Sequence, residues 1–264
     1  MKIPVNNTNL AYDDHGIGLP VIFLHAFPLN RSMWQSELIT LLSDERYRLV
    51  ALDWHGFGES EITNPISTME LFADDLAGLM DSLGIQQAVL CGLSMGGYAA
   101  FAFLRKYSQR VSGLILADTR PGADTPEAQA NRENVARIAE TQGTGEIADL
   151  QVPLVLSEYT RQHHPEVEMR VRQMIETATA QGIAAASRGM AQRGDSTDLL
   201  ASISCPTLVI VGEQDVLTPP SVAQEYAAKI PGAQFVVITN AGHLSNLEQP
   251  DAFLQAVRGF LGSL

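Results

Sequence analysis

Short apolar runs alternate with amphipathic stretches along most of the chain. Short apolar runs are typical of buried strands, and amphipathic stretches are typical of helices that pack one face against a sheet. The alternation predicts an α/β fold with a mostly parallel, doubly wound sheet. After a hairpin within 2–14, the predicted strands are Val21–His25, Arg48–Asp53, Gln86–Cys91, Val111–Ala117, Thr207–Val211 and Gln234–Thr239. The predicted helices are Met33–Leu42, Thr68–Leu83, Met95–Tyr107, Ser221–Lys229 and Pro250–Leu261.

The region 119–202 has a different pattern: it lacks β-branched runs and is rich in Ala, Gln, Glu and Arg. A crossover between parallel strands needs only about a dozen residues, so a segment of this length indicates an insertion. We therefore predict a core formed by 1–118 and 203–264, with a helical cap over 119–202. The helices predicted in the cap are Pro126–Thr141, Gly145–Leu156, Glu166–Ala180 and Gly182–Arg193.

Composition narrows the class of protein. The chain of 264 residues is 45% hydrophobic and 18% charged, which is typical of a globular domain with a large core. Its formal net charge of −13 disfavours nucleic acid and anionic membranes as partners. The sequence has neither a signal-like apolar core at its start nor 18 consecutive apolar residues, so we expect a cytoplasmic location. The two cysteines and the histidines lack zinc-like spacing, and we expect no metal.

One turn carries the main chemical signal. A strand-like run ending at Cys91 leads into Gly92-Leu-Ser-Met-Gly96, and a helix-like run begins at Tyr98. Strand, tight turn and helix form the context in which G-x-S-x-G is a nucleophile elbow. A Cβ at either flanking glycine would crowd the close approach of strand and helix. In this context the sequence predicts that Ser94 is a nucleophile; the alternative is an ordinary turn between strand and helix.

A serine hydroxyl needs a base to accept its proton and an acid to orient that base. His243 directly follows the predicted strand 234–239, and Ser94 also lies at the carboxyl end of a strand. Because ligand chemistry in open α/β sheets takes place at this edge, both side chains are expected in one crevice. His243 is therefore the predicted base.

The acid is expected at the carboxyl end of another strand, between serine and histidine in the order Ser…Asp…His. Asp215 satisfies this condition, and Asp118, after the preceding strand, is the alternative. Glu213 lies two positions earlier than Asp215 and is expected to point elsewhere.

The other histidines have structural explanations. His25 and His55 each follow a strand, and one of them is expected to orient a neighbouring loop through a backbone hydrogen bond. His15 lies in an early turn, and His163 and His164 are expected to be solvated residues of the cap.

Backbone amides are expected to bind the oxyanion. The Met95 N–H opens a helix, whose dipole adds to its effect. The second donor is expected from the loop after the first parallel strand, where we favour the Phe27 N–H and keep Ala26 as the alternative. With the cap, an apolar pocket is predicted to include Phe27, Trp34, Met95 and Leu244.

Taken together, these segments resemble the α/β-hydrolase fold superfamily. The matching segments are His25-Ala-Phe-Pro28, Asp53-Trp-His-Gly-Phe-Gly-Glu-Ser60, Gly92-Leu-Ser-Met-Gly96, Gly212-Glu-Gln-Asp215 and Ala241-Gly-His243. The stretch from Ala241 to Pro250 also resembles 3-oxoadipate enol-lactonases and allied small carboxylesterases. Two positions depart from the family pattern: Ala26 stands where glycine is usual, and His55 stands where arginine is common.

The resemblance implies a cofactor-free serine hydrolase that acts on a small carboxylic ester or lactone, as a monomer or homodimer. A serine at position 94 excludes the relatives that use an aspartate nucleophile. The loop at His25 is also similar to that of cofactor-free haloperoxidases. A perhydrolase, a carbon–carbon-bond hydrolase and a low-turnover ligand receptor therefore remain the alternatives.

Overall fold

A single eight-stranded sheet organises the computed structural model, which describes residues 1–264. The strand order is β1-β2-β4-β3-β5-β6-β7-β8. The first two strands form a hairpin, β2 pairs antiparallel with β4, and the remaining pairs are parallel. The strands are β1 (Lys2–Val5), β2 (Thr8–Gly16), β3 (Leu19–Leu24), β4 (Tyr47–Leu52), β5 (Ala88–Leu93), β6 (Val111–Ala117), β7 (Thr207–Gly212) and β8 (Gln234–Ile238).

Helices cover the sheet and bury its central strands. Every residue of β5 and β7 is buried, as expected for parallel strands enclosed on both faces. The α-helices are α1 (Gln35–Leu41), α2 (Met69–Ser82), α3 (Met95–Tyr107), α4 (Pro126–Gln142), α5 (Thr144–Val155), α6 (Glu158–His163), α7 (Pro165–Glu176), α8 (Ala180–Ala191), α9 (Pro220–Ala227), α10 (Ser245–Glu248) and α11 (Pro250–Leu261). Short 3₁₀ helices occupy Arg31–Trp34, Ser108–Arg110 and Thr197–Ser202.

The five helices α4 to α8 lie between β6 and β7. Two glycines let α8 approach the polypeptide that follows β4. A Cβ on Gly182 would lie 1.9 Å from the carbonyl oxygen of Gly56, and one on Gly189 would lie 1.8 Å from that of Ser67. The Ser67 amide in turn donates to the carbonyl oxygen of Ala185. Direct backbone contact therefore attaches α8 to the rest of the molecule.

The predicted fold class is confirmed, and the strand boundaries agree to within two residues. Most helical boundaries also agree to within two residues, and side-chain caps explain the differences in two of the helices. The predicted helix Met33–Leu42 begins instead as the 3₁₀ turn Arg31–Trp34, because the Asn30 side chain caps that turn. The predicted helix Glu166–Ala180 ends at Glu176, because the Thr179 side chain accepts from the Gly182 amide and starts α8.

The sequence pattern did not predict α6 or α10, which contain six and four residues. Such short helices lack the repeated apolar spacing by which a helix is recognised. No helix has both the length and the apolar composition required to cross a membrane.

Candidate active site

Ser94 occupies a sharp turn between β5 and α3. Its backbone has φ 54° and ψ −112°, a region that L-residues other than glycine rarely adopt. The turn has no room for a side chain at position 92, because a Cβ on Gly92 would lie 2.5 Å from the carbonyl oxygen of Gly96. A Cβ on Gly96 would lie 2.0 Å from the carbonyl oxygen of Leu24. The two flanking glycines therefore allow the close packing that the sequence analysis expected around this serine.

A continuous chain of hydrogen bonds joins the three predicted polar side chains. The Ser94 Oγ lies 2.8 Å from the His243 Nε2, and the His243 Nδ1 lies 2.8 Å from the Asp215 Oδ2. All three residues are buried. Since the carboxylate can only accept, Nδ1 carries the proton and Nε2 accepts from the serine hydroxyl. The side chains lie within reach for proton transfer from serine to histidine.

The Asp215 carboxylate is held by donors from its own loop. Oδ1 accepts from the amides of Leu217 and Thr218, and Oδ2 accepts from the Thr218 hydroxyl. Burial opposes ionisation, but the charge and hydrogen bond of His243 and the Thr218 bonds lower the pKa of Asp215 to about 2. The carboxylate is therefore negative at neutral pH.

The environment of His243 favours its protonated form. Burial lowers the pKa of the imidazole, but the opposing effects, led by the charge and hydrogen bond of Asp215, outweigh it. The net result is a pKa above the ordinary histidine value. An imidazolium formed beside Ser94 would thus be stabilised.

Two backbone amides near Ser94 have no acceptor in the protein. They belong to Met95, the first residue of α3, and to Phe27, in the loop after β3. The Ala26 amide instead donates to the Met33 Sδ at 3.3 Å. Of the two candidates in that loop, only Phe27 therefore has a free amide.

Comparison with known proteins identifies the family. Residues 20–250 match the sequence model of a family described as the alpha/beta hydrolase fold. The chain belongs to the α/β-hydrolase fold family. The resemblance that the sequence segments indicated is therefore confirmed.

Three proteins resemble the chain over nearly its whole length. It is 32% identical to 3-oxoadipate enol-lactonase 1 of Acinetobacter baylyi, with 92% of this chain and 89% of the lactonase covered. The structure of a thermophilic esterase from Thermogutta terrifontis, with malate bound, has 48% identity and a TM-score of 0.96, covering 100% of this chain and 98% of the esterase. The enol-lactonase of Burkholderia xenovorans LB400 has 30% identity and a TM-score of 0.91, covering 99% and 100%.

Within this α/β-hydrolase, the loop that carries His243 is held by a residue not singled out from the sequence. Glu248 Oε1 accepts from the amides of Gly242 and Leu244, on either side of His243. Oε2 accepts from the Ser157 amide and the Thr160 hydroxyl, at the start of α6. The only available signal was a carboxylate five residues after the histidine.

Asp118, the alternative acid, bonds elsewhere. Its Oδ1 accepts from the Gly212 amide, and its Oδ2 accepts from the amide and hydroxyl of Ser245. Burial, followed by the nearby charge of Asp215, raises its pKa to about 8. Asp118 thus joins the end of β7 to the segment after His243. Glu213 also points away from the histidine and accepts from the Asn240 amide.

The remaining histidines lie outside the hydrogen-bonded chain. His25 Nε2 accepts from the Trp54 amide, and burial lowers its pKa to about 4. His55 Nε2 accepts from the Thr63 amide. Both orient neighbouring loops, whereas the sequence analysis expected this of one. His15, His163 and His164 lie at the surface. His15 belongs to β2, where it pairs with Leu49, and not to the early turn that the sequence analysis predicted.

A cavity of about 190 Å³ adjoins Ser94 and His243. Phe27 lines it, as predicted, together with side chains from α4, α5 and α8. The helical lining covers part of this space, so Ser94, which is 8% exposed, lies within a cleft and not on the outer surface.

The other predicted pocket residues, Trp34, Met95 and Leu244, do not line this cavity, and none of them has exposed surface. Trp34 packs in the core against Phe23 and Phe253. This corrects the pocket prediction: these three side chains face the core.

Proposed function

We propose that this α/β-hydrolase is a serine hydrolase that cleaves a small carboxylic ester or lactone. The observation that carries the proposal is the unbroken chain from Ser94 through His243 to Asp215, with 2.8 Å at each link. This arrangement of hydroxyl, imidazole and carboxylate performs nucleophilic acyl transfer on several unrelated folds.

In the first step, the Ser94 Oγ attacks the acyl carbonyl carbon and His243 Nε2 accepts the hydroxyl proton. The tetrahedral intermediate collapses when Nε2 returns that proton to the leaving alcohol oxygen, and an acyl ester of Ser94 remains. Asp215 keeps the proton of the neutral ring on Nδ1 and stabilises the imidazolium. Its low pKa supports this role, because only the carboxylate form can do both.

The amides of Met95 and Phe27 are the proposed donors to the oxyanion. Neither has another acceptor, and Met95 adds the positive end of the α3 dipole. Loss of one such donor typically reduces the rate by about 10²–10³-fold. Because both donors belong to the backbone, side-chain substitution there would underestimate their contribution.

The second step releases the acid. Water enters where the alcohol has left, His243 Nε2 accepts its proton, and the resulting hydroxide attacks the acyl carbon. The bond to Ser94 Oγ then breaks as Nε2 returns the proton to that oxygen.

Two further observations support a small-molecule substrate. The proteins to which the chain is similar include an esterase and two enol-lactonases. The cavity beside Ser94 is small and is roofed by α4, α5 and α8, so we also propose that 119–202 acts as a cap over the site.

The test is hydrolysis of 4-nitrophenyl acetate by the wild type and by Ser94→Ala. We expect the variant to lose more than about 10⁴-fold in kcat, because no other hydroxyl lies on His243 Nε2. Ser82→Ala, which alters an exposed serine on α2, serves as the control and should retain wild-type turnover. Similar rates for Ser94→Ala and the wild type would refute the proposal.

A further inference from the structure

Three arginines surround one buried carboxylate. Asp124, whose side chain is fully buried, accepts from Arg193 at 2.7 Å, from Arg120 at 2.9 Å and from the Arg132 Nε at 3.1 Å. Arg120 follows β6, Arg132 lies on α4 and Arg193 follows α8. Helices and loops distant in sequence therefore bring three positive charges to a single negative one.

The charges in this cluster do not balance. Burial opposes ionisation of Asp124, but the hydrogen bond and charge of Arg193 and the charge of Arg132 keep its pKa below the ordinary aspartate value. The carboxylate is thus negative, and arginine remains protonated in proteins. Three positive charges and one negative charge leave an excess of two positive charges.

Several donors of the cluster lack acceptors. The Nε atoms of Arg120 and Arg193 are buried without a hydrogen-bond partner. Arg132 uses only its Nε, so its two terminal nitrogens are free. Leaving the two buried Nε donors unpaired is costly. The terminal nitrogens of Arg132, whose side chain is partly exposed, are free to donate to an anion.

The cluster shares its cavity with the proposed nucleophile. Arg120, Asp124 and Arg132 line the same 190 Å³ cavity as Ser94 and His243. No other acidic side chain lines it. The local excess of positive charge is the reverse of the net charge of the whole molecule, which is −13. Charge distributed evenly over the molecule would not give this cavity a positive excess.

We propose that the substrate carries a carboxylate that Arg120 and Arg132 bind while Ser94 attacks the ester or lactone carbonyl. The inference rests on the proposed function and deepens it by naming the substrate class. Guanidinium groups present paired donors that match the two oxygens of a carboxylate. Asp124 accepts from both arginines and thereby holds them at the cavity that contains Ser94.

Matched ester pairs test the inference with the wild-type protein. The first pair is mono-4-nitrophenyl glutarate and its neutral methyl ester, which place the charge on the acyl side. The second pair is 4-acetoxybenzoate and methyl 4-acetoxybenzoate, which place it on the alcohol side. In at least one pair we expect kcat/KM to be about tenfold higher for the anionic member, as for a charge-assisted hydrogen bond. The pair that responds identifies the side on which the carboxylate lies.

Variants assign the preference to the arginines. In Arg120→Gln and Arg132→Gln, we expect the ratio of anionic to neutral kcat/KM to fall about tenfold, through a higher KM for the anionic ester. Arg188→Gln removes a charge from the same helical segment, where that arginine pairs with Glu133 and Glu140 at the surface. This control should keep the wild-type ratio.

The inference is overturned if the wild type prefers the neutral member, or neither member, in both pairs. It is also overturned if both variants keep the wild-type ratio. Should a variant fail to fold, competitive inhibition of the wild type by glutarate, compared with the neutral diamide glutaramide, decides the same question: equal inhibition contradicts the proposal. Hydrolysis of neutral 4-nitrophenyl acetate that depends on Ser94 tests the proposed function separately.

Discussion

Glu37 is a carboxylic acid enclosed in the core. It has no exposed surface, and neither carboxyl oxygen has a hydrogen-bond partner. Burial raises its pKa to about 8, so the folded protein holds it neutral at pH 7. The unfolded chain releases this proton near pH 4.5. Between these two values only the folded state binds the proton, so the stability contributed by this group falls as the pH rises and is constant above the window.

Replacement of Glu37 by glutamine removes this titration. We expect Glu37→Gln to be more stable than the wild type near pH 8, with a difference that shrinks towards pH 5 by about 1 kcal/mol per pH unit. Urea unfolding at intervals between pH 5 and 9 measures the difference in the free energy of unfolding between the two proteins. Glu45→Gln, which makes the same substitution at an exposed position, is the control. A difference that is independent of pH would contradict the assignment.

At the scale of single residues, sequence motifs brought out the polar residues that meet in the structure, but they did not identify which apolar residues line the cavity. Ser94, Asp215 and His243 each follow a strand, and parallel strands end at one edge, so their meeting could be expected from order along the chain. Trp34 and Leu244 also adjoin motifs. Whether an apolar side chain faces a cavity or the core depends on packing, which a single sequence does not reveal.

The short helix α10 ends in Glu248, which joins two elements. Its four hydrogen bonds attach the His243 loop to the start of α6. The His243 amide adds a fifth link by donating to the carbonyl oxygen of Val155, the last residue of α5. The position of the imidazole thus depends on contacts made by α5 and α6.

Glu248→Gln should weaken this attachment. The amide NH₂ cannot accept, so it leaves either the two loop amides or the two α6 donors unsatisfied, at about 1–3 kcal/mol for each buried group. We expect a lower melting temperature and a kcat reduced about tenfold or more, with little change in KM, measured with 4-nitrophenyl acetate. Thr160→Val removes one of the four donors to Glu248, and the Ser157 hydroxyl that donates to Thr160 keeps the Asn240 carbonyl oxygen as an acceptor, so we expect a smaller effect on both. Full activity in Glu248→Gln would show that the loop is held by other contacts.

Among the elements, periodicity predicted the long helices and missed the short ones. The helix α6 begins where the Ser157 side chain accepts from the Thr160 amide, and it is stabilised by Glu248 from a distant part of the chain. An element of six residues that depends on a partner 91 positions away carries no sufficient local signal.

Across the whole molecule, α8 attaches the 119–202 segment to the polypeptide after β4. Gly182 and Gly189 lie against backbone oxygens with no room for a side chain. The attachment is therefore sensitive to a single methyl group, because backbone cannot move aside as a flexible side chain can.

Gly189→Ala should destabilise the protein by about 1–3 kcal/mol and lower its melting temperature by several degrees. The matched control is Gly259→Ala on α11, where an added Cβ meets nothing within 4 Å. Alanine is the better helix former, so the control should be as stable as the wild type or slightly more stable. Circular dichroism melts distinguish the two. An equal increase in melting temperature for Gly189→Ala and Gly259→Ala would exclude close packing at Gly189.

The cluster of three arginines around Asp124 depends on the packing of the whole molecule and could not be predicted from the sequence. Arg193 lies 69 positions from Asp124, and the helices between them pack in a way that periodicity does not specify. Composition gave only the net charge of −13, which disfavoured large polyanions and gave no information about the sign of a small cavity.

The hydrogen bonds of Glu248 limit which helical segments can be exchanged between this protein and related enzymes. A helical segment grafted from another protein would need to supply an amide and a hydroxyl at positions 157 and 160, and a carbonyl at 155, to receive the histidine loop. The helix α4 makes none of these hydrogen bonds, and it lines the cavity beside Ser94. A change of substrate range is therefore best sought by exchanging α4, with the junction from Val155 to Thr160 left unchanged.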